Sequence, residues 1–311
     1  MLTRIISGTV GALLLAVVLY FHETLFLPIA VSAIVGVMLF EMVRAVKLEK
    51  CLPIIIPAEI CGICMPVLYS AAAYRDQIQM FSTNTPALYP FNKAVPETVV
   101  EVFGWSAQPS ELAFAVTMLC SFVIFVTWLA KHKDIRYEQV FFVIASMTLI
   151  PQAMTTMVRI ERYDSRNGLF LLVMALCGAW IADTGAYFTG VAFGKHKLCP
   201  EISPKKTIEG FFGGIVITGI VYAAAFGVYA HLNPNFEQFN AVGFIALFIM
   251  GALCAVVGAI GDLTASMVKR QIGFKDYGKI MPGHGGLMDR FDSVLLVLPT
   301  FYSFITLTRI F

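Results

Sequence analysis

Residues 241–268 read AVGFIALFIMGALCAVVGAIGDLTASMV. Over these 28 residues the one charged side chain is Asp262. A helix that crosses a bilayer needs about 20 mostly apolar residues, so this run predicts a transmembrane span. A carboxylate inside such a span costs about 2.5–3.5 kcal/mol on insertion scales. Asp262 therefore needs a partner, a water-filled cavity or a cation. Ser266 follows one turn later, and Lys269-Arg270 mark the end of the run. At 1.5 Å per residue Asp262 lies about 10 Å below that edge, within reach of a cavity that opens there.

Working outward, eight further apolar runs occur, at 5–22, 25–44, 52–73, 111–130, 138–158, 168–193, 209–231 and 291–309. The expected fold is all-α, a polytopic integral membrane protein of about nine transmembrane helices. Composition agrees. The chain is 58% hydrophobic and 14% charged, with a mean hydropathy of +0.79, whereas soluble domains are about 45–50% apolar and about 25% charged. A soluble enzyme and a disordered chain are both excluded. A net charge of +2 provides no field for nucleic acid. The first run lacks a small-residue cleavage site before Leu19-Tyr20-Phe21-His22-Glu23 and reads as a retained span. Cys61 and Cys64 form a CxxC, but with Cys120, Cys177 and Cys254 they lie in apolar runs, where cysteine packs as a small hydrophobe.

Lysine and arginine placement predicts the orientation. Of the 22, 16 fall at the N-terminus and in the even-numbered loops, and 6 on the other side. The N-terminus is then cytoplasmic, as are loops 194–208 and 269–290. Residues 1–166 read as a transmembrane scaffold with an external, proline-containing loop at 74–110. Residues 167–311 hold the polar chemistry and read as the catalytic region.

Four stretches of that region carry candidate chemistry. Asp183 is a second intramembrane carboxylate, in Trp180-Ile181-Ala182-Asp183-Thr184-Gly185. It echoes Gly258-Ala259-Ile260-Gly261-Asp262, with an offset that differs by one residue. Asp289-Arg290-Phe291-Asp292 places two carboxylates at i, i+3 on one face of a helix N-terminus. With Asp262 they form a set of three that suits a hard cation such as Mg²⁺, which takes oxygen ligands and substrate phosphates. Between them, Lys275-Asp276 and Pro282-Gly283-His284-Gly285-Gly286 make a glycine-rich loop whose amides can approach phosphate. There His284 can donate or carry a proton. Finally, Ser203-Pro204-Lys205-Lys206-Thr207-Ile208-Glu209-Gly210 reads as a helix start, with Ser203 as N-cap, Pro204 at N1 and two lysines for an anion. Walker A spacing is absent.

At these residues the chain resembles the phosphatidate cytidylyltransferase (CDP-diacylglycerol synthase) family. Its pattern is met by Ser266, Lys269-Arg270, Lys275-Asp276, Pro282-Gly283-His284-Gly285-Gly286 and Asp289-Arg290-Phe291-Asp292, with no departure at polar positions. The runs Asp183-Thr184-Gly185-Ala186-Tyr187 and Ser203–Gly210 match as well. The match covers about 180–293; the first half agrees only as hydrophobic helices. The resemblance implies transfer of CMP from CTP to phosphatidate at the cytoplasmic face of a bacterial inner membrane. It implies catalytic roles for Asp262, Asp289, Asp292, Lys269, Arg270 and His284, with Mg²⁺ on the three aspartates and room for a monovalent cation such as K⁺. It implies substrate contacts for Asp183, Ser203, Lys205, Lys206, Thr207, Glu209, Ser266, Lys275, Asp276, Gly285, Gly286 and Arg290. A homo-oligomer is compatible with it. Because intramembrane carboxylates also mark ion paths, a cation-coupled transporter is the second reading. The CDP-alcohol phosphotransferase pattern is absent.

Overall fold

The computed structural model describes residues 2–82, 109–164, 166–233, 241–278, 280–281, 283 and 285–308. They form ten helices and one small hairpin. The helices are α1 (Leu2–Tyr20), α2 (Phe26–Ala45), α3 (Leu52–Ser82), α4 (Pro109–Ala130), α5 (Tyr137–Glu161), α6 (Gly168–Phe193), α7 (Ile208–Leu232), α8 (Ala241–Ile272), α9 (Met288–Phe291) and α10 (Val294–Thr308). Strands β1 (Lys197–Cys199) and β2 (Ser203–Thr207) pair antiparallel between α6 and α7. Eight segments of the described chain are long and apolar enough to span a membrane, α9 and α10 counting together as one. The protein is an all-α polytopic membrane protein. The apolar run expected at 5–22 is helix α1, of 19 residues.

The inside-out logic of a membrane protein shows along single helices. In α2, Leu27, Val31, Val35, Met38 and Met42 recur every three or four residues and are buried. In α4 large apolar side chains face outward: Phe114 is 66% exposed and Leu129 75%. Lipid accepts such surface, where water would not.

The chain divides into two compact units. Glu23–Arg159 form one; Met1–His22 and Ile160–Phe311 form the other. In the first, α3 packs against both α2 and α4. Its Cys61 is buried and donates its thiol to the Met147 carbonyl at 3.5 Å, a packing role, and all seven cysteines are free. In the second, α7 lies against α6 and α8, and α10 packs on α8 and α6. Helix α1 thus groups with the C-terminal helices. His22 Nδ1 meets Glu161 Oε1 at 2.9 Å, and a methyl group added at Gly11 would meet Met281 Cε at 3.3 Å.

Three local expectations change. Helix α3 runs on to Ser82, past the expected end at 73, and residues 83–108 of the expected external loop lie outside the described residues. The last span does not start as one helix on the Asp289–Asp292 face. A single turn, α9, ends before Asp292, and α10 begins at Val294. Ser203 and Pro204 do not cap a helix: they stand on β2, and the cap of α7 is Thr207, whose hydroxyl accepts from the Gly210 N–H at 3.1 Å. A residue before proline is biased towards extended backbone, and Thr207 is itself a good N-cap, so the helix starts four residues later.

Candidate active site

Asp183 and Asp262 occupy equivalent places on neighbouring helices. A methyl group built at Gly258 of α8 would lie 4.0 Å from the Ala179 Cα of α6. One turn further along each helix come Asp183 and Asp262. The sequence echo thus has a physical basis: small residues let two helices approach, and each then places a carboxylate one turn higher. Gly261 does the same towards the last span. A Cβ there would meet the Asp292 carbonyl at 2.6 Å, so only glycine lets Asp292 approach beside Asp262. The three carboxylates feel one another's charge, Asp292 acting with Asp262 and Asp183, and Asp183 with Asp262.

Cations answer this charge. Lys206 Nζ sits 2.6 Å from Asp262 Oδ2, and Ser266 donates to Asp262 Oδ1 at 3.3 Å. Lys206 and Arg290 oppose the Asp183 charge, and Lys269 that of Asp292. Asp292 Oδ1 also accepts from the Ser293 N–H at 2.8 Å.

Asp289 belongs elsewhere. Its side chain is 3% exposed. Oδ1 accepts from Lys269 Nζ at 2.8 Å, and Oδ2 from the Tyr277 and Gly286 amides at 2.8 and 2.9 Å. Of the expected set Asp262, Asp289 and Asp292, Asp289 is thus turned to Lys269 and the loop amides, while Asp262 and Asp292 interact through their charges with Asp183. Among the described residues, no three His, Cys, Asp or Glu side chains are grouped as a ligand set. The glycine-rich loop also differs from expectation. The Gly286 amide points to Asp289 and not outward, because a buried carboxylate takes the nearest donors it can. Gly285 has φ +89° and closes the turn onto Met281, whose N–H donates to the Gly285 carbonyl at 3.1 Å. Tyr277 locks the loop from the other side: its hydroxyl donates to the Ala265 carbonyl at 3.1 Å. Burial, with Asp289 and Asp292 near by, pushes its phenol well up. Lys275, Asp276, Arg270 and Arg290 are exposed. His284, together with Lys279 and Pro282, lies outside the described residues.

Beside the carboxylates is a cavity of about 440 Å³ between α6, the hairpin, α7 and α8. Its polar lining is Asp183, Lys197, Lys205, Lys206 and Thr207; the rest is apolar, including Tyr187, Val191 and Phe211. The hairpin explains the lysines. Lys197 pairs with Thr207 and Cys199 with Ser203, so β2 carries extra residues between the pairs and bulges. Successive side chains on a regular strand point to opposite faces. At the bulge Lys205 and Lys206 both line the cavity. Glu209 does not line it. It clamps the base of the hairpin, accepting from the Lys195 and His196 amides at 3.1 and 3.2 Å and meeting His196 Nδ1 at 2.6 Å.

Sequence comparison identifies the family. The family described as cytidylyltransferase matches residues 2–308. The chain belongs to that family. Relatives of this cytidylyltransferase include the phosphatidate cytidylyltransferase of Bacillus subtilis (strain 168), 31% identical over 98% of this chain and 97% of the relative. That of Haemophilus influenzae is 44% identical over 51% of the chain and 55% of the relative. That of Staphylococcus aureus (strain COL) is 45% identical over 44% and 50% respectively. Two residues of the candidate site escaped sequence reading. Lys197 looks like one more lysine at a membrane edge, and only strand pairing places it in the cavity. Tyr277 lies within the matched region, yet nothing about an isolated tyrosine shows that its ring fills the loop's core.

Proposed function

We propose that this membrane cytidylyltransferase transfers CMP from CTP to phosphatidate, giving CDP-diacylglycerol and pyrophosphate, at the cytoplasmic face of a bacterial inner membrane. One observation carries the reading: a cavity with three lysines and a largely apolar wall has the intramembrane Asp183 in its lining and reaches Asp262 through the pair Lys206–Asp262. A lipid phosphate and a soluble triphosphate need such a junction. The full-length relative from Bacillus subtilis bears the name of that activity.

The chemistry asks little covalent work of the protein. The phosphatidate phosphate is already ionised; its oxygen attacks the α-phosphorus of CTP as the bond to pyrophosphate breaks. Alignment and charge neutralisation then dominate. Asp262 and Asp292, with Asp183 beside them, are the residues that would hold Mg²⁺, since two carboxylates plus substrate phosphates are its usual set. Bound there, Mg²⁺ supplies neutralisation of phosphate charge. Lys206 holds Asp262 in place and can turn to a phosphate when the carboxylate finds another cation. Arg290 and Arg270 are exposed at the same end and offer the incoming triphosphate its first positive charge. Asp289 shapes the loop above.

The test is purified protein with labelled CTP, phosphatidate and Mg²⁺, expected to release pyrophosphate and form CDP-diacylglycerol in equal amounts. Formation of neither refutes the reading. Single cysteines introduced into loops 194–208 and 269–290 should resist reagents applied from outside intact cells; ready labelling of both reverses the orientation.

A further inference from the structure

We infer that the cavity bounded by the hairpin receives the lipid substrate, with Lys197, Lys205 and Lys206 on its phosphate and the α6–α7 wall along its acyl chains. The inference rests on the proposed function and decides which of its two substrates this cavity takes.

Three observations point the same way. First, the lining is amphipathic in the pattern of a lipid headgroup. Lys197, Lys205 and Lys206 stand on the hairpin side, while Tyr187, Val191 and Phe211 supply apolar wall from α6 and α7. The base of a nucleoside triphosphate can stack on an aromatic ring, but its roughly four negative charges and its sugar gain nothing from the aliphatic part of the wall, Val191, Leu198, Ala255 and Ala259. A monoester phosphate on two acyl chains matches both parts.

Second, the rim is built for lipid. Tyr187 is 65% exposed and Val191 71%, both within a helix long and apolar enough to span the membrane. Acyl chains can therefore lie partly in the cavity and partly along the outside of α6, so the lipid need not leave the bilayer to bind.

Third, the hairpin fixes the height of the phosphate. Lys197 is held opposite Thr207, the residue that caps α7, and Glu209 ties the hairpin base to the same helix. Lys206 Nζ is already at Asp262. A phosphate bridging Lys197 and Lys206 thus stands beside the carboxylate cluster, where the attacking oxygen has to be. Lys197 is the residue that this reading adds.

The inference is tested by a kinetic split and by binding without turnover. Lys197→Ala is expected to raise the KM for phosphatidate in mixed micelles about tenfold, the loss of one charge-assisted hydrogen bond, and to leave the KM for CTP within twofold. Ala259→Leu, which fills the apolar part of the cavity, is expected to penalise dioleoyl phosphatidate about fivefold or more and to spare dihexanoyl phosphatidate. Native mass spectrometry without CTP should show dioleoyl phosphatidate retained by the wild-type protein and lost from Lys197→Ala. A rise in the KM for CTP alone, or no change in either KM, overturns the assignment. So does equal lipid retention by the two proteins. These results are separable from failure of the proposed function: in that case the wild-type protein forms no CDP-diacylglycerol, whereas lipid retention is read in the absence of any reaction.

Discussion

Two lysine–aspartate pairs of nearly equal length serve opposite ends. Lys206–Asp262 is 2.6 Å long and Lys269–Asp289 2.8 Å. The side chains of the first are 25% and 27% exposed, those of the second 11% and 3%. The first opens on the cavity; the second is closed off by the Tyr277 and Gly286 amides. A pair reached by solvent can exchange partners at little cost. A buried pair with every acceptor used cannot, because either ion left alone is stranded. The contrast teaches that ionic contacts close together divide into those free to exchange partners and those that hold the frame.

The largest expected effect breaks the buried pair. Lys269→Met or Asp289→Asn alone should lower stability by about 3–5 kcal/mol, read by unfolding in detergent. The double variant should recover most of that loss, since no buried charge remains unmatched. If the double variant is as unstable as the two losses added, Asp289 is not simply the partner of Lys269. Mn²⁺ binding, followed by its paramagnetic resonance signal, should persist in the double variant; its disappearance would return Asp289 to the metal.

Next in size is the open pair. Asp262→Asn should cut turnover by about 10²–10³-fold, in the range of one lost electrostatic contact to the transition state, and leave the unfolding midpoint nearly unchanged. A large fall in stability instead would make Asp262 a structural residue like Asp289, and the comparison would collapse.

A smaller effect sits at the hairpin. Thr207→Ala removes the N-cap of α7 and should cost about 1 kcal/mol, with Thr207→Ser restoring most of it. The smallest is Lys206→Met, expected to cost less than about 1 kcal/mol of stability while still impairing turnover. A stability loss as large as that of Lys269→Met would show that exposure does not separate the two pairs.

Much of this frame was legible in the residues. Apolar runs at 168–193 and 241–268 are α6 and α8, the first with the same ends, because a span's length is set by the bilayer and its edges by the first polar residues. Asp183 and Asp262 stood out as functional because a charge inside an apolar run is costly to keep without a use. Lys206 stood out through its place in a paired-lysine motif at a membrane edge. Three features were not legible, each for a definite reason. The strand at 203–207 depends on pairing with Lys197–Cys199, and its Ser-Pro opening imitates a helix start. The divergence of Asp289 from Asp292 needs the break between α9 and α10, which i, i+3 spacing on a continuous helix does not foresee. The closure of the glycine-rich loop depends on Tyr277 and Lys269, which share one carboxylate 20 residues beyond the lysine.

The grouping of α1 with the C-terminal helices sets a schedule for synthesis. His22 meets Glu161, its partner across 139 residues. At about 5–20 residues per second, a ribosome takes on the order of ten seconds to make that stretch. For that time α1 sits in the bilayer without the helices it will join, and the unit that holds the carboxylates closes only after the intervening helices have been inserted.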